Sequence, residues 1–281
     1  MVMRNPAVAG SFYPAHKEEL EAQLRECFAK EAGMPKPGDR RDIAAAVVPH
    51  AGYFYSGWVA AFAYARIAAA YSKPPVFVIA GPNHTGYGPM VSISKEDWQT
   101  PLGIVKNDNE LGNAIKKNSK FADFDETAHD YEHSIEVQLP FLQLIYPGTE
   151  LRFVPICVMA QGPETARDLG DAVFKAAAEL KREIFFIASS DFTHFESAES
   201  AHAKDALAIA KLEKLDINGF DRVRAAKNAT ICGYGPILAA MHYARLKGCA
   251  KAQVLKYASS GDITGDYGQV VAYCSAVFPL K

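Results

Sequence analysis

Ile43-Ala44-Ala45-Ala46-Val47-Val48-Pro49-His50-Ala51-Gly52-Tyr53 reads as a strand that stops at a histidine. Six apolar residues without polar alternation suit a strand buried on both faces of a sheet. Pro49 has no N–H to donate and holds Val48 extended, so the ladder ends there, and Gly52 lets the chain turn away. His50 then stands just past the carboxyl end of the strand, where open α/β sheets bind their ligands.

The same pattern recurs twice. Val76-Phe77-Val78-Ile79-Ala80 runs into Gly81-Pro82-Asn83-His84-Thr85-Gly86, and Ile184-Phe185-Phe186-Ile187-Ala188 runs into Ser189-Ser190-Asp191-Phe192-Thr193-His194. Another apolar strand is expected over residues 151–158. Helical patterns cover residues 17–30, 58–71, 109–118, 163–181, 198–214 and 219–228, with a last one ending at Lys247. Strands alternating with helices, and no repeat or long linker, predict one α/β domain over residues 1–281: an α/β/α sandwich on a central mixed sheet. Right-handed crossovers would bring the ends of neighbouring parallel strands, and with them His50 and His84, to one edge.

Other segments read less regularly. Ala9-Gly10-Ser11-Phe12-Tyr13-Pro14 suggests an extended arm, and residues 98–103 a turn between two strands. Over residues 134–146 an apolar helical face is expected, with Ser134 as N-cap and a kink at Pro140. Residues 252–258 and 268–278 read as two closing strands.

Of the 281 residues, 49% are hydrophobic and 22% charged, with a formal charge of −2 and no lysine- or arginine-rich run. That composition supports a sizeable core and argues against a nucleic-acid surface. No apolar run reaches the length of a membrane span, and residues 1–6 lack a secretory signal, so a cytoplasmic protein without membrane contact is expected. Its five cysteines, odd in number and without a CxxC pair, fit reduced thiols.

His50, His84, Asp191, His194 and Cys232 each lie in a glycine-, proline- or serine-rich loop beside a regular element. Imidazoles combined with a thiolate are suitable ligands for iron, copper or zinc. His50, His84 and Cys232 could supply three such donors, with Asp191 and His194 orienting ligands or moving protons; in an enzyme, His194 oriented by Asp191 would shuttle protons. Unrelated histidines that merely stabilise turns would give the same spacing, and the spacing leaves both readings open. Tyr53, Phe54, Tyr55, Phe192 and Phe195 either wall a pocket or fill the core.

His129-Asp130-Tyr131-Glu132-His133 satisfies the H-x-x-E-H protease pattern, which requires both histidines on one helix face. Ser134 at the expected start of the helix spoils that geometry, and His133 reads better as a proton donor or orienter at the pocket. No G-x-S-x-G, G-x-x-x-x-G-K-[ST] or G-x-G-x-x-G occurs, so serine hydrolase and nucleotide-binding readings lack support.

Pro49-His50-Ala51-Gly52-Tyr53, Gly81-Pro82-Asn83-His84, Glu132-His133-Ser134-Ile135-Glu136-Val137-Gln138-Leu139-Pro140-Phe141, Ser189-Ser190-Asp191-Phe192-Thr193-His194 and Thr230-Ile231-Cys232-Gly233 together resemble the MEMO family. The opening Ala7-Val8-Ala9-Gly10-Ser11-Phe12-Tyr13-Pro14 is similar to its prokaryotic branch, the B component of the AmmeMemoRadiSam system. The resemblance implies a fold similar to class III extradiol dioxygenases, with His50, His84 and Cys232 as metal ligands and Asp191 and His194 lining the pocket. It implies Fe(II), with copper or zinc as alternatives, and an oxidoreductase acting on a small, aromatic or phenolic substrate. A cysteine stands where such dioxygenases carry a carboxylate, which puts ring cleavage in question. The family also implies an alternative, an adaptor that binds a peptide in the same pocket, and partners of radical SAM and AMMECR type.

Overall fold

The computed structural model describes residues 3–281, so Met1 and Val2 of the amino-terminal reading lie outside it. The strands are β1 (Met3–Arg4), β2 (Ile43–Val48), β3 (Val76–Pro82), β4 (Val91–Ile93), β5 (Asp97–Thr100), β6 (Gly103–Asn107), β7 (Ala122–Phe124), β8 (Arg152–Val158), β9 (Ile184–Ser189), β10 (His194–Glu196), β11 (Gln253–Ser259) and β12 (Val270–Pro279). The helices are α1 (Lys17–Cys27), α2 (Trp58–Ala70), α3 (Asn109–Asn118), α4 (Leu139–Ile145), α5 (Pro163–Leu180), α6 (Ala198–Glu213), α7 (Ile217–Lys227), α8 (Tyr234–Leu246) and α9 (Gly261–Thr264).

All twelve strands join one mixed sheet. Its centre is parallel, in the order β8-β3-β9-β2. β12 lies antiparallel to β2 on one side, and the shorter strands extend the sheet beyond β8 on the other. The strands that deliver His50 and His84 are therefore not neighbours: β9 lies between them. Their ends still align, because Val48 pairs with Ser189 across β2 and β9, and Ala80 with Ala188 across β3 and β9.

Uninterrupted apolar strands are needed because both faces of this centre are covered. Val47, Val78, Ala80, Phe186 and Ala188 point into a core shared with Leu169 and Val173 of α5 and Leu238 and Met241 of α8. Val48, Phe77, Ile79, Phe185 and Ile187 point into a second core with Leu20 and Leu24 of α1, Ile67 of α2 and Phe141 of α4. This period-two division is what a strand buried on both faces must show. The α/β/α sandwich on a mixed sheet is thus the architecture of this chain. A Cβ on Gly57 would lie 2.5 Å from Cys27 Sγ, so a residue without a side chain permits the contact between the end of α1 and the entry to α2.

Three local expectations are corrected. No single helix spans residues 134–146: a 3-10 turn over Glu136–Gln138 leads into α4, and Pro140 sits in its first turn. There a missing N–H is harmless, so Pro140 does not kink the helix, and Ser134 Oγ donates to Pro82 O instead of capping. The turn over residues 98–103 is shorter than expected, since Trp98 to Thr100 pair with β6 and Pro101-Leu102 alone reverse the chain. The arm over residues 9–14 is a tight turn, with Phe12 N–H on Val8 O and Gly10 at φ +87°. No helix among the described residues is long and apolar enough to cross a membrane. All five cysteines are free thiols.

Candidate metal centre

His50 leaves the end of β2 and is almost fully buried, at 2% exposure. Its backbone N–H donates to Asp191 Oδ1 at 2.8 Å, tying the end of β2 to the loop after β9. Its ring Nδ1 lies 2.9 Å from Ser189 Oγ. The tautomer follows from the partners of that serine. Gln138 Nε2 donates to Pro49 O and to Ser189 Oγ, while Gln138 Oε1 accepts from Tyr64 Oη. The serine hydroxyl gives its own proton to Ser134 O at 2.6 Å, so it can only accept from the imidazole. His50 therefore carries its proton on Nδ1 and presents the Nε2 lone pair, which faces Cys232 Sγ at 3.2 Å.

His84 is held in an analogous way by a different group. Glu132, fully buried, accepts the His84 backbone N–H at 2.7 Å and is 2.9 Å from Nδ1. A carboxylate accepts only, so Nδ1 carries the proton and Nε2 is left as a donor atom. Cys232 stands just before α8, where its Sγ accepts the Asp191 N–H at 3.2 Å and Gln161 Nε2 holds its carbonyl. One ligand atom from each of His50, His84 and Cys232 lies within 4.8 Å of the others. A second group, His84, Glu132 and His133, satisfies the same criterion but shares His84, and its carboxylate is already engaged by N–H donors.

Burial, and the positive charge the neighbouring histidines would carry, hold His50 well below its ordinary pKa. Burial likewise takes His133 down to about 4. Burial would lower His84 too, but the hydrogen bond and charge of Glu132 outweigh it and raise its pKa. In return Glu132, despite its own burial, falls to about 2. Burial pushes Asp191 up to about 6, and burial with the Asp191 charge pushes the Cys232 thiol up. His50 is thus a neutral imidazole near neutrality, the form that ligates metals, and a bound cation would be needed to draw the proton from Cys232.

The Memo-like protein family model matches residues 4–277. The chain belongs to the Memo family. A MEMO1 family protein of Methanosarcina acetivorans is 45% identical over 277 residues, covering 99% of both chains. One from Methanopyrus kandleri is 44% identical over 283 residues, covering 98% of both. The crystal structure of an uncharacterized protein from Escherichia coli K12 aligns at 12% identity with a TM-score of 0.49, covering 84% of this chain and 99% of that one.

In this Memo chain His50 and His84 open on a cavity of about 560 Å³, with Cys232 behind His50. His133 belongs to it, its ring stacked on His84 at 4.6 Å between centroids. Asp191 and His194 line it too, but Asp191 does not orient His194. The His194 Nδ1–H is aimed at Thr230 O at 2.8 Å, and Asp191 positions His50. Of the five aromatic candidates, Tyr55 and Phe195 line the cavity, Tyr53 and Phe192 are core, and Phe54 lies outside it. The H-x-x-E-H segment forms turns rather than a helix, and His129 is buried elsewhere with Nε2 near Ser92 O.

The roles of Glu132, Gln138 and Ser189 were missed by sequence reasoning, although all three lie in the quoted motifs. Phe12 and Tyr273 were missed as pocket walls. Phe12 comes from the amino-terminal turn, which Glu136 fastens by accepting from Arg4 Nη1, Tyr13 Oη and the N–H groups of Ala7 and Val8. Four donors on one buried carboxylate explain why a second glutamate follows Glu132 in that motif.

Proposed function

We propose that this chain is a metal-dependent oxidoreductase related to the extradiol dioxygenases. Its ion, Fe(II), is held by His50, His84 and Cys232, and a small aromatic or phenolic substrate occupies the adjoining pocket. The observation that carries this reading is the convergence of three donors whose neighbours already commit the remaining ring nitrogens. Two imidazoles, each with Nδ1 already engaged and Nε2 left for an ion, and a thiol that can ionise suit a first-row divalent ion, and three protein ligands leave coordination positions for substrate. The soft thiolate makes copper and zinc competitors for the site.

A redox-active ion bound there supplies electron transfer to an oxidant. The chain's own residues do the rest. His194, its Nδ1–H engaged by Thr230 O, offers Nε2 as acceptor for a phenolic proton. Asp191 ties the His50 and Cys232 loops together through His50 N–H and its own backbone N–H. His133 and Phe12, their rings tilted at 43° with centroids 4.6 Å apart, wall the pocket beside His84.

Elemental analysis of anaerobically purified protein tests the assignment. A single equivalent of iron or copper is expected, lost in His50→Ala, His84→Ala and Cys232→Ser and retained in His194→Ala. Oxygen uptake with catechols is expected to fall in His194→Ala alone among metal-replete proteins. No bound metal, and no uptake when Fe(II) or copper is offered, refutes the enzyme reading and leaves a binding module.

A further inference from the structure

β10 meets β12 through an irregularity: His194 pairs with Val271 and Glu196 with Val270, leaving Phe195 as the extra residue. Its φ is +60°, in the left-handed region that glycine and asparagine enter easily and bulky side chains enter under strain. Bulges of this kind re-aim a side chain and are frequent beside active sites. Core packing does not account for the choice of residue, since Phe195 is 74% exposed. Its ring stands beside that of His194, 5.7 Å between centroids, and lines the same cavity as Phe12, Tyr55 and Tyr273. A sequence under selection for stability alone would place glycine or asparagine here.

Charge narrows what such a ring could hold. Among the described residues lining the cavity there is no lysine or arginine, while Asp191 and Asp266 both contribute carboxylates. An anionic ligand tail would find no permanently charged partner on the protein, while a cationic one would find aromatic faces and Asp266.

We propose that Phe195 is a substrate-gripping residue, held in a strained bulge so that its ring stacks on a planar ring ligand that bears no anionic side group. This rests on the reading that the pocket takes an aromatic substrate. The stack replaces the ring's exposed contact with water, so the bulge costs stability in the free protein and returns affinity in the bound one.

The test compares wild type, Phe195→Asn and Phe195→Tyr as full-length proteins, with Zn(II) present so that no turnover consumes the ligand. Calorimetric titration uses catechol, dopamine and 3,4-dihydroxybenzoate, and each protein's Tm is recorded without ligand. Phe195→Asn is expected to melt at or above the wild-type Tm while binding catechol roughly three- to tenfold more weakly, the range of an aromatic stack. Phe195→Tyr is expected to restore binding, and the benzoate to bind more weakly than catechol or dopamine. Equal catechol affinity in wild type and Phe195→Asn, or a lower Tm in the asparagine variant, overturns the gripping role while leaving the aromatic pocket standing. Benzoate binding as tight as catechol overturns the charge preference. Failure of wild type to bind any of the three overturns the aromatic-substrate reading itself, and this proposal with it.

Discussion

Replacing Glu132 by glutamine is expected to weaken the fold and the metal centre together. The carboxylate is fully buried and accepts from His84 N–H, His84 Nδ1–H and Ser134 N–H, at 2.7, 2.9 and 2.9 Å. Two of these bonds fall on one oxygen and one on the other, so an amide in either orientation turns an NH2 toward at least one buried donor. Leaving one such donor unsatisfied costs about 1–3 kcal/mol. A second route gives a similar size. The carboxyl falls from 4.5 to about 2 in the folded protein, and that difference is worth about 3 kcal/mol.

Because the folded pKa is depressed, this stability is fully present above the ordinary carboxyl pKa of 4.5 and is lost as pH falls toward about 2. For a chain of 281 residues, 3 kcal/mol corresponds to a drop of about 5 °C in Tm. Metal affinity should fall about 10- to 100-fold, the usual cost of removing the group that orients a ligating histidine. Urea denaturation of the apo-proteins across the acid range, with metal titration near neutral pH, measures both. A glutamine variant as stable as wild type, or a stability gap that does not narrow on acidification, would refute the reasoning.

Two further outcomes follow from buried groups and close packing. His129 is buried beside Arg4 and brought from 6.5 to about 4, so the unfolded chain protonates first as pH falls, and stability declines by up to about 3 kcal/mol across that window. His129→Gln removes this titration, and urea midpoints should show a shallower acid limb than wild type; parallel curves would contradict the assignment. A Cβ on Gly233 would lie 2.3 Å from Ser189 O and 2.7 Å from Ser190 Cβ, so Gly233→Ala must push the Cys232 loop away. A loss of about 1–3 kcal/mol and reduced metal content are expected. Gly162→Ala, where the added Cβ meets open space, serves as the control, and equal metal content in the two variants would sink the argument.

Much of the frame was legible because it rests on short-range signals. Residues 43–48 and 184–188 are uninterrupted apolar runs bounded by Pro49 and by Ser189, so their status as buried strands needed no partner to be seen. Alternating strands and amphipathic helices likewise announced the sandwich. The losses came where the local signal is short or ambiguous. β7 and β10 have three residues each, too few for an alternation to register. An apolar face over residues 134–146 is shared by a 3-10 turn and a helix, and periodicity cannot divide them. The arm at residues 9–14 turns because Gly10 adopts a positive φ, an option its neighbours do not advertise.

By itself the sequence determined which residues end the strands, and therefore that His50, His84 and Asp191 lie in loops bordering the sheet. Only the tertiary structure decided that β9 separates the two histidine strands while aligning their ends, and that His50 Nε2 faces Cys232 Sγ at 3.2 Å. It also decided that Thr230, not Asp191, orients His194, and that Phe12 from the amino-terminal turn and Tyr273 from β12 meet in one pocket. The physical reason is one of range. Burial and backbone preference act on neighbouring residues and leave a period in the chain, whereas hydrogen bonds between groups 139 or 182 residues apart form only once the sheet register has brought them together.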